Sequence, residues 1–217
     1  MNPVLIFAEL SPQVQESIKF VAAAAVGGVV GNRADTWFMS LFYHQKVRLL
    51  NWIKKWNPQK EDIECIEADE KIKLLFSHIV KEISNEADDN KFMLWPKITD
   101  SIIRKKEIEL DLKQHYLTLF KRLDSFAIQY LANLYFEGSM DIDGIFNNSS
   151  ELPDVGDKKH IYCIGQLQCA TTGLTTLSNS QPTKIKITKF GKQFIDFVSN
   201  ESNDLLMKLG KREVTAN

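Results

Sequence analysis

The chain has 217 residues, 44% of them hydrophobic and 25% charged, which excludes an intrinsically disordered protein and predicts one large domain or two small ones. Because 27 basic residues oppose 28 acidic ones, the net charge of −1 excludes a chain drawn as a whole to nucleic acid or an anionic membrane. Three cysteines without a disulfide-rich spacing, and an N-terminus without a secretory signal pattern, predict a cytoplasmic protein.

The first predicted helix begins at Ser11 and Pro12, which suit a helix cap and the first helical position. It runs into an apolar stretch, residues 20–30, that is shorter than the about 20 residues a membrane span needs. We therefore predict a small-residue face against which another helix packs closely, with membrane contact as the alternative. This face comprises Ala22, Ala25, Gly27, Gly28 and Gly31.

A long helix is predicted from Ala34, because apolar residues recur at helical spacing until Asn57 and Pro58 end it. Its predicted buried face comprises Phe38, Leu41, Phe42, Leu49, Trp52, Ile53 and Trp56. Between Ile72 and Ile83 the apolar residues recur at three and four positions, which indicates an amphipathic helix.

Asp88 or Asp89 is a predicted cap of the next helix, and Pro96 within it predicts a kink or a late start. The predicted buried face of that helix comprises Phe92, Trp95, Ile98 and Ile102. Apolar residues from Leu112 to Leu134 then predict a single helix of roughly 25 residues.

The composition changes beyond this helix. Residues 138–157 are rich in Gly, Asn, Ser, Pro and Asp, which is typical of a linker or a large loop. A short helix follows, with Ile161, Ile164 and Leu167 on one face, and Gly173 is placed to end it.

Two strands are predicted next, residues 174–178 and 183–188, paired as a hairpin. The second strand alternates Lys and Ile, which places Ile185 and Ile187 on one face and the lysines on the other. A closing helix covers these isoleucines with Phe190, Phe194, Phe197 and Val198. Helix, two-stranded wing and closing helix together predict a winged-helix-like unit.

The predicted fold class is therefore mainly α, with a multi-helix N-terminal region and a small C-terminal winged-helix-like (α+β) unit. Residues 1–137 form the helical region, with Gly-rich and aromatic or basic helices in 11–57 and a helical core in 67–137. An acidic or polar linker or loop covers 138–158, and the winged-helix-like unit covers 159–217.

Three stretches resemble the bacterial abortive-infection alpha family, Abi-alpha. The first is residues 27–55, where GGVVG leads into a helix with Trp37 and a basic segment from Arg48 to Lys55. The second is residues 84–95, where the acidic turn SNEADDN precedes Leu94 and Trp95. The third is the closing pattern of residues 173–194, GL followed by ITKFGKQF.

Each of these motifs is short. The resemblance implies a small helical protein with a role in limiting phage growth. It implies no catalytic residue.

Residues with metal-binding or catalytic chemistry are present but incomplete as sites. His160, Cys163 and Cys169 are soft ligands lying close in sequence, yet a structural zinc site usually needs four, so buried cysteines are the preferred interpretation. Glu86, Asp88 and Asp89 would suit a divalent cation, but a helix cap explains them better. We predict no catalytic residue, no metal and no cofactor, and no motif marks the chain as an enzyme.

Four lysines near the C-terminus are the candidate nucleic-acid contacts, because phosphate contacts supply most sequence-independent affinity. They are Lys184, Lys186, Lys189 and Lys192. The expected recognition helix, residues 161–172, contains no Lys or Arg, which leaves only Gln166 and Gln168 as base readers. The alternative is a wing that packs on protein, with solvated lysines.

The leading hypothesis is a non-enzymatic phage-defence protein of abortive-infection type that acts through a protein partner or self-association. A second is a winged-helix nucleic-acid-binding regulator using the four lysines. A third is a membrane-acting effector using the apolar stretch of residues 20–30.

Overall fold

The computed structural model describes residues 17–22, 40–137, 139–141, 165–178 and 184–199. The chain divides into two compact units, residues 1–114 and 115–217, and helix α6 (Leu110–Arg122) runs through the boundary. The predicted division lay further along, at residue 137. The protein is mainly helical with a small antiparallel sheet near the C-terminus, as the sequence predicts.

The N-terminal unit is helical throughout its described part. Residues 17–22 are helical, and the helices that follow are α1 (Tyr43–Trp56), α2 (Lys60–Ala68), α3 (Glu70–Asn85), α4 (Asp89–Phe92) and α5 (Trp95–Arg104). Helices α1, α2, α3 and α5 pack against one another. Helix α2 lies in the interval between residues 57 and 67 for which the sequence analysis predicted no element.

Aromatic rings form the centre of this unit. Trp52 and Trp56 stack one turn apart on α1, with ring centroids 5.1 Å apart, and Phe76 of α3 lies 5.4 Å from Trp56. Phe20 of the helical segment 17–22 lies 5.7 Å from the same Phe76 ring. Each of these rings buries as much apolar surface as several methylene groups. Their contacts therefore hold three helical segments together.

The long helix predicted from Ala34 is interrupted at Leu41 and Phe42, while residues 34–39, including Phe38 of the predicted buried face, lie outside the described residues. Phe42 has extended backbone angles, and the side chain of Gln45 accepts a hydrogen bond from the Phe42 amide at 2.9 Å, so the helix begins at Tyr43. The prediction that Phe42 is buried is wrong, since 71% of its surface is exposed. The predicted end is confirmed, because Asn57 adopts a left-handed conformation with φ of 49°.

Three further predicted features of this unit are confirmed, while the predicted helix start at Ser11 and Pro12 lies outside the described residues. The stripe from Ile72 to Ile83 lies on α3 and its two end members are half-buried and buried. Asp88 caps α4 by accepting hydrogen bonds from two backbone amides. Pro96 lies in the first turn of α5, where its missing amide hydrogen has no helical partner to lose, so the helix starts late as predicted.

A charged cluster joins α2 to α5. Arg104 donates two hydrogen bonds to Asp62, at 2.8 and 2.6 Å, and its third nitrogen lies 3.4 Å from Asp100. The hydrogen bond from Arg104 lowers the pKa of the Asp62 carboxyl below its ordinary value, whereas burial raises the pKa of Asp100. The positive charge of one guanidinium therefore lies beside two carboxyl groups, one with a lowered pKa and one with a raised pKa.

The predicted single helix from Leu112 to Leu134 is wrong. The structure has two helices, α6 and α7 (Ser125–Glu137), separated at Leu123 and Asp124. The Asp124 carboxylate accepts a hydrogen bond from the Ala127 amide at 2.7 Å and so caps α7. The apolar periodicity continues across this break because Leu123 and Ala127 are both buried.

The C-terminal unit contains a three-stranded antiparallel sheet. Its strands are β1 (Ser139–Asp141), β2 (Thr175–Leu177) and β3 (Lys184–Ile187), in the order β1-β3-β2. The pairing of β2 with β3 is the predicted hairpin pair, with Thr176 opposite Lys186. Strand β1 begins inside the predicted linker of residues 138–158, and it pairs with the other edge of β3.

The inner face of the sheet lies on helices. Ile185 and Ile187 are 5% and 7% exposed, as the alternating pattern predicts, and α7 packs against both β1 and β3. Helix α9 (Lys189–Val198) follows β3 and packs on α7, with Phe194, Phe197 and Val198 buried. Residues 165–171, termed α8, are helical, and Gly173 ends this helix with φ of 73°.

The turn between β3 and α9 requires a glycine. Thr188 caps α9 by accepting a hydrogen bond from the Gly191 amide at 2.9 Å, and its own hydroxyl donates to the Gly173 carbonyl at 2.8 Å. A Cβ on Gly191 would overlap the carbonyl oxygen of Leu174 and lie 2.8 Å from an Ile187 side-chain carbon. The segments β2, β3 and α9 can therefore approach this closely only because residue 191 is a glycine and has no Cβ.

We predict that Arg104→Ala lowers the free energy of unfolding at pH 7 by about 1–3 kcal/mol, because it leaves Asp62 buried without its counter-charge. The Arg104 side chain is 45% exposed, so water screens the pair and the loss stays below that of a fully buried one. The pKa of Asp62 is lower in the folded protein than in the unfolded chain. Asp62 therefore stabilises the fold at a pH above the ordinary pKa of an aspartate, and this stabilisation is lost as the pH falls through the lowered pKa. Urea unfolding at pH 7 and pH 3 is the measurement.

The free energies of unfolding of Arg104→Ala and of the parent protein should differ less at pH 3 than at pH 7. Arg122→Ala is the control, because Arg122 is an exposed arginine in the last turn of α6 and its loss should cost less than about 0.5 kcal/mol. A loss for Arg104→Ala that is equal at both pH values would contradict the assignment.

We predict that Gly191→Ala destabilises the C-terminal unit by about 1–3 kcal/mol, because the new methyl group overlaps the backbone of Leu174. Helix propensity alone predicts the opposite sign, since Ala is favoured over Gly by about 1 kcal/mol inside a helix. Gln193→Ala is the matched control on the exposed face of the same helix. Thermal unfolding decides between the two signs, and a stabilised Gly191→Ala variant would refute the close contact.

Candidate functional site

The lysine cluster consists of Lys184, Lys186, Lys189 and Lys192, and it lies at the outer face of β3 and the first turns of α9. Lys186 is exposed and Lys184 is half-buried, because the two isoleucines of the strand occupy its inner face. Opposite Lys186 on β2 lies Thr176, which is also exposed. The outer surface of β2 and β3 is therefore hydrophilic at this position.

Lys189 and Lys192 are exposed and lie one turn apart at the start of α9. The partial positive charge of a helix N-terminus disfavours cations there by about 0.3–1 kcal/mol each. None of the four lysines forms an ion pair with a carboxylate among the residues that the structure describes. In the register of the sheet, Asp141 of β1 lies opposite Lys184.

Asp196 is the one acidic residue between positions 184 and 199, and it follows Lys192 by four residues. Its carboxylate accepts a hydrogen bond from the Tyr135 hydroxyl at 2.7 Å, and this bond raises the pKa of Tyr135. Tyr135 belongs to α7, so the contact holds α9 against α7. Asp196 therefore serves packing within the unit.

Helix α8 presents no free base reader at Gln168. Its side-chain amide donates to the Asp124 carboxylate at 3.0 Å, and its side-chain oxygen accepts from the Asp124 amide at 3.1 Å. Of the two glutamines that the sequence left as candidate base readers, Gln168 is unavailable, because both polar atoms of its side chain already have partners. Gln166 is half-buried, and Leu167 is 63% exposed.

The contact of α8 with α7 is close. Gly165 lies against the Ala127 backbone, where a Cβ would come within 3.1 Å of it. The Cys169 thiol donates to the Ala127 carbonyl at 3.4 Å and is completely buried. Burial raises the pKa of this thiol to about 12, so it is neutral at physiological pH.

The structure describes only one of the three residues considered as zinc ligands. Cys169 is a buried thiol bonded to a backbone carbonyl, whereas His160 and Cys163 lie outside the described residues. In the parts of the chain that the structure describes, no group of three His, Cys, Asp or Glu side chains is arranged to hold a metal ion.

The acidic turn of residues 84–90 is held by contacts with α1 and α5. One oxygen of Glu86 accepts a hydrogen bond from the Trp95 indole at 3.2 Å, and the other accepts from the Asp88 amide at 3.1 Å. Arg48 of α1 forms an ion pair with Asp89 at 2.9 Å and lies 5.2 Å above the Phe92 ring. The acidic residues of this motif therefore shape the turn, as the cap interpretation predicts.

An exposed aromatic group, which the sequence analysis missed, lies at the start of α1. We term Phe42, Tyr43 and His44 the aromatic tip. The rings of Phe42 and His44 stack with centroids 5.9 Å apart and 7° between planes, and Tyr43 is 58% exposed. The sequence did contain a signal for this exposure, because Tyr43 and His44 are ring-bearing residues that lie outside the apolar stripe of α1.

The predicted small-residue face is described at one position only. Ala22 is buried at 2% exposure, while Ala25, Gly27, Gly28 and Gly31 lie outside the described residues. Among the helices that the structure describes, none has both the length and the apolar character that a membrane crossing requires.

Comparison with known proteins identifies no relative: no family model, no curated protein and no solved structure matches this chain.

We predict that Cys169 resists alkylation in the folded protein, because its thiol is buried and has a raised pKa. Iodoacetamide at pH 8 should label the half-buried Cys65 at least about 100-fold faster, and urea should abolish the difference. A Cys163→Ser background is required, because Cys163 and Cys169 share one tryptic peptide. Equal labelling of Cys65 and Cys169 without urea would contradict the packing of α8 on α7.

Proposed function

We propose that this protein limits phage growth by binding a protein partner and catalyses no reaction itself. The first support is the three-part resemblance to the Abi-alpha family. The second is the position of the aromatic tip, which lies inside the first of those three stretches, residues 27–55. Exposed aromatic rings that lie side by side favour an interaction surface, because aromatic residues are enriched at such surfaces.

The observation that carries the proposal is the exposure of Phe42. A Phe side chain gains about 1.5–3 kcal/mol when it is fully buried, and Phe42 leaves 71% of its surface in water. Its ring stacks on His44, and its backbone amide donates a hydrogen bond to Gln45. Contacts that favour one conformation before binding reduce the entropy lost when a partner covers the ring.

The base of the aromatic tip is rigid as well. The Gln45 side chain donates to Asn85 at the end of α3 at 2.8 Å, so the start of α1 is tied to the beginning of the acidic turn. In this proposal the stretch of residues 84–95 fixes the position of the stretch of residues 27–55. The acidic turn positions α1, and α1 presents the aromatic tip to the partner.

We also propose that the C-terminal unit is a variant of the winged helix. The support is the order of elements, in which α8 is followed by the β2–β3 pair and by α9. Strand β1 adds a third strand at the free edge of β3.

Plaque assays test the proposal. Cells carrying the intact gene should give fewer plaques than cells without it for at least one phage, and the Phe42→Ser, Tyr43→Ser double variant should lose at least about tenfold of that protection, as expected when central aromatic contacts worth 2 kcal/mol or more are removed. Leu74→Ser is the matched control, because Leu74 is 61% exposed on α3. Its protection should be unchanged.

Each outcome has a distinct meaning. Equal plaquing with and without the gene over a broad phage panel would refute the phage-defence role. Full protection by the double variant would refute the aromatic tip as the partner site. Light scattering on both proteins shows whether the partner is a second copy of this chain, since the double variant would then change from oligomer to monomer.

A further inference from the structure

We propose that the lysine cluster binds the phosphate backbone of double-stranded nucleic acid without reading its base sequence. This activity goes beyond the proposed protein-partner function and uses a different compact unit. It follows from the placement of four lysines, from the state of helix α8 and from the character of the sheet surface.

The four lysines follow one another along β3 and into the first turns of α9. Burial of Ile185 and Ile187 turns the two strand lysines to the opposite side of β3, about 7 Å apart along the strand. Lys189 follows β3 after Thr188, and Lys192 lies one turn further on. Because the strand leads directly into the helix, all four cationic groups belong to one continuous segment of nine residues.

The electrostatics of this segment favour a polyanion. Two of the lysines occupy the helix end at which a cation is disfavoured, and no described carboxylate forms an ion pair with any of the four. Phosphate groups would relieve this repulsion and would release the counterions condensed on the nucleic acid. Positions at which a local rule is broken without internal compensation are commonly functional.

Helix α8 offers little for sequence readout. Base edges are read mainly by Arg, Lys, Asn and Gln, and residues 161–172 contain neither Arg nor Lys. Gln168 is bonded through both polar atoms to Asp124, Gln166 is half-buried, and the apolar Leu167 is 63% exposed. Binding is therefore carried by phosphate contacts, which position a protein but do not specify sequence.

The surface also favours a duplex over a single strand. Single-stranded nucleic acids are bound by aromatic platforms on which bases stack. The outer face of β2 and β3 has Thr176 and Lys186 at its centre, and neither strand contains an aromatic residue. A duplex needs no such platform, because its bases are already stacked.

Fluorescence anisotropy with the full chain tests this inference. Two 20-base-pair duplexes of unrelated sequence, one matching single strand and phosphatidylserine-containing vesicles are the probes. For four phosphate contacts, the logarithm of the association constant should fall against the logarithm of salt concentration with a slope of about −3.6. Duplex affinity should therefore weaken about 150-fold between 50 and 200 mM salt, equally for both sequences.

Single variants locate the site. Lys186→Ala and Lys189→Ala should each reduce the salt slope by about 0.9, while Lys54→Ala, an exposed lysine on α1, should leave it unchanged. All three positions are exposed, and circular dichroism melting confirms that each variant is folded. Phage plaquing of the same variants separates this activity from the partner function, because loss of duplex binding leaves the aromatic tip intact.

Four results would overturn the inference. They are no duplex binding at 50 mM salt, a slope near zero, a preference of more than tenfold for one duplex, and unchanged binding by both cluster variants. Tighter binding to the single strand or to the vesicles than to the duplexes would likewise overturn it.

Discussion

The inward burial of Ile185 and Ile187 is the constraint on which the C-terminal unit depends. Strand β3 is the central strand, and it pairs with β1 on one side and with β2 on the other. Because side chains alternate along a strand, packing the two isoleucines against the helices turns the intervening lysine to solvent. The same apolar contact thus stabilises the unit and places its positive charge on the surface, so fold and proposed binding activity have one physical origin.

The N-terminal unit uses a different arrangement, in which an aromatic centre joins the helices and polar groups fix their ends. Trp52, Trp56 and Phe76 are buried there, while Glu86 and Arg48 hold the turn between α3 and α4. The carboxylates of the acidic turn are bonded to an indole, to backbone amides and to a guanidinium, so they shape the turn. The surface that we propose for a partner is the aromatic tip.

Local patterns predicted the elements whose causes are local. The stripe of α3, the cap at Asp88 and the alternation of β3 were all read from neighbouring residues, and the structure confirms them. The failures have both local and distant causes. The break at Asp124 is local, since Asp124 caps α7 at the Ala127 amide, but the uninterrupted apolar periodicity hides it. Strand β1 acquires its partner only when β3 arrives, and bonds to Asp124, 44 positions away, remove Gln168 from the candidate base readers. Phe42 was misjudged because periodicity gives the face of a helix but not the residue at which it begins.

The register of β3 is the most direct test of the whole account, since a slip of one residue would exchange its two faces. In the observed register, Thr175 lies opposite Ile187 and Leu177 opposite Ile185. Both are pairs without mutual hydrogen bonds, because the bonds lie at Ser178 with Lys184 and at Thr188 with Leu174. Such pairs bring their Cα atoms to about 4.5 Å. Nuclear Overhauser spectra should therefore show strong Hα–Hα contacts within these two pairs. Contacts from Thr176 to Ile187 or to Ile185 instead would place the lysines inside and contradict the account.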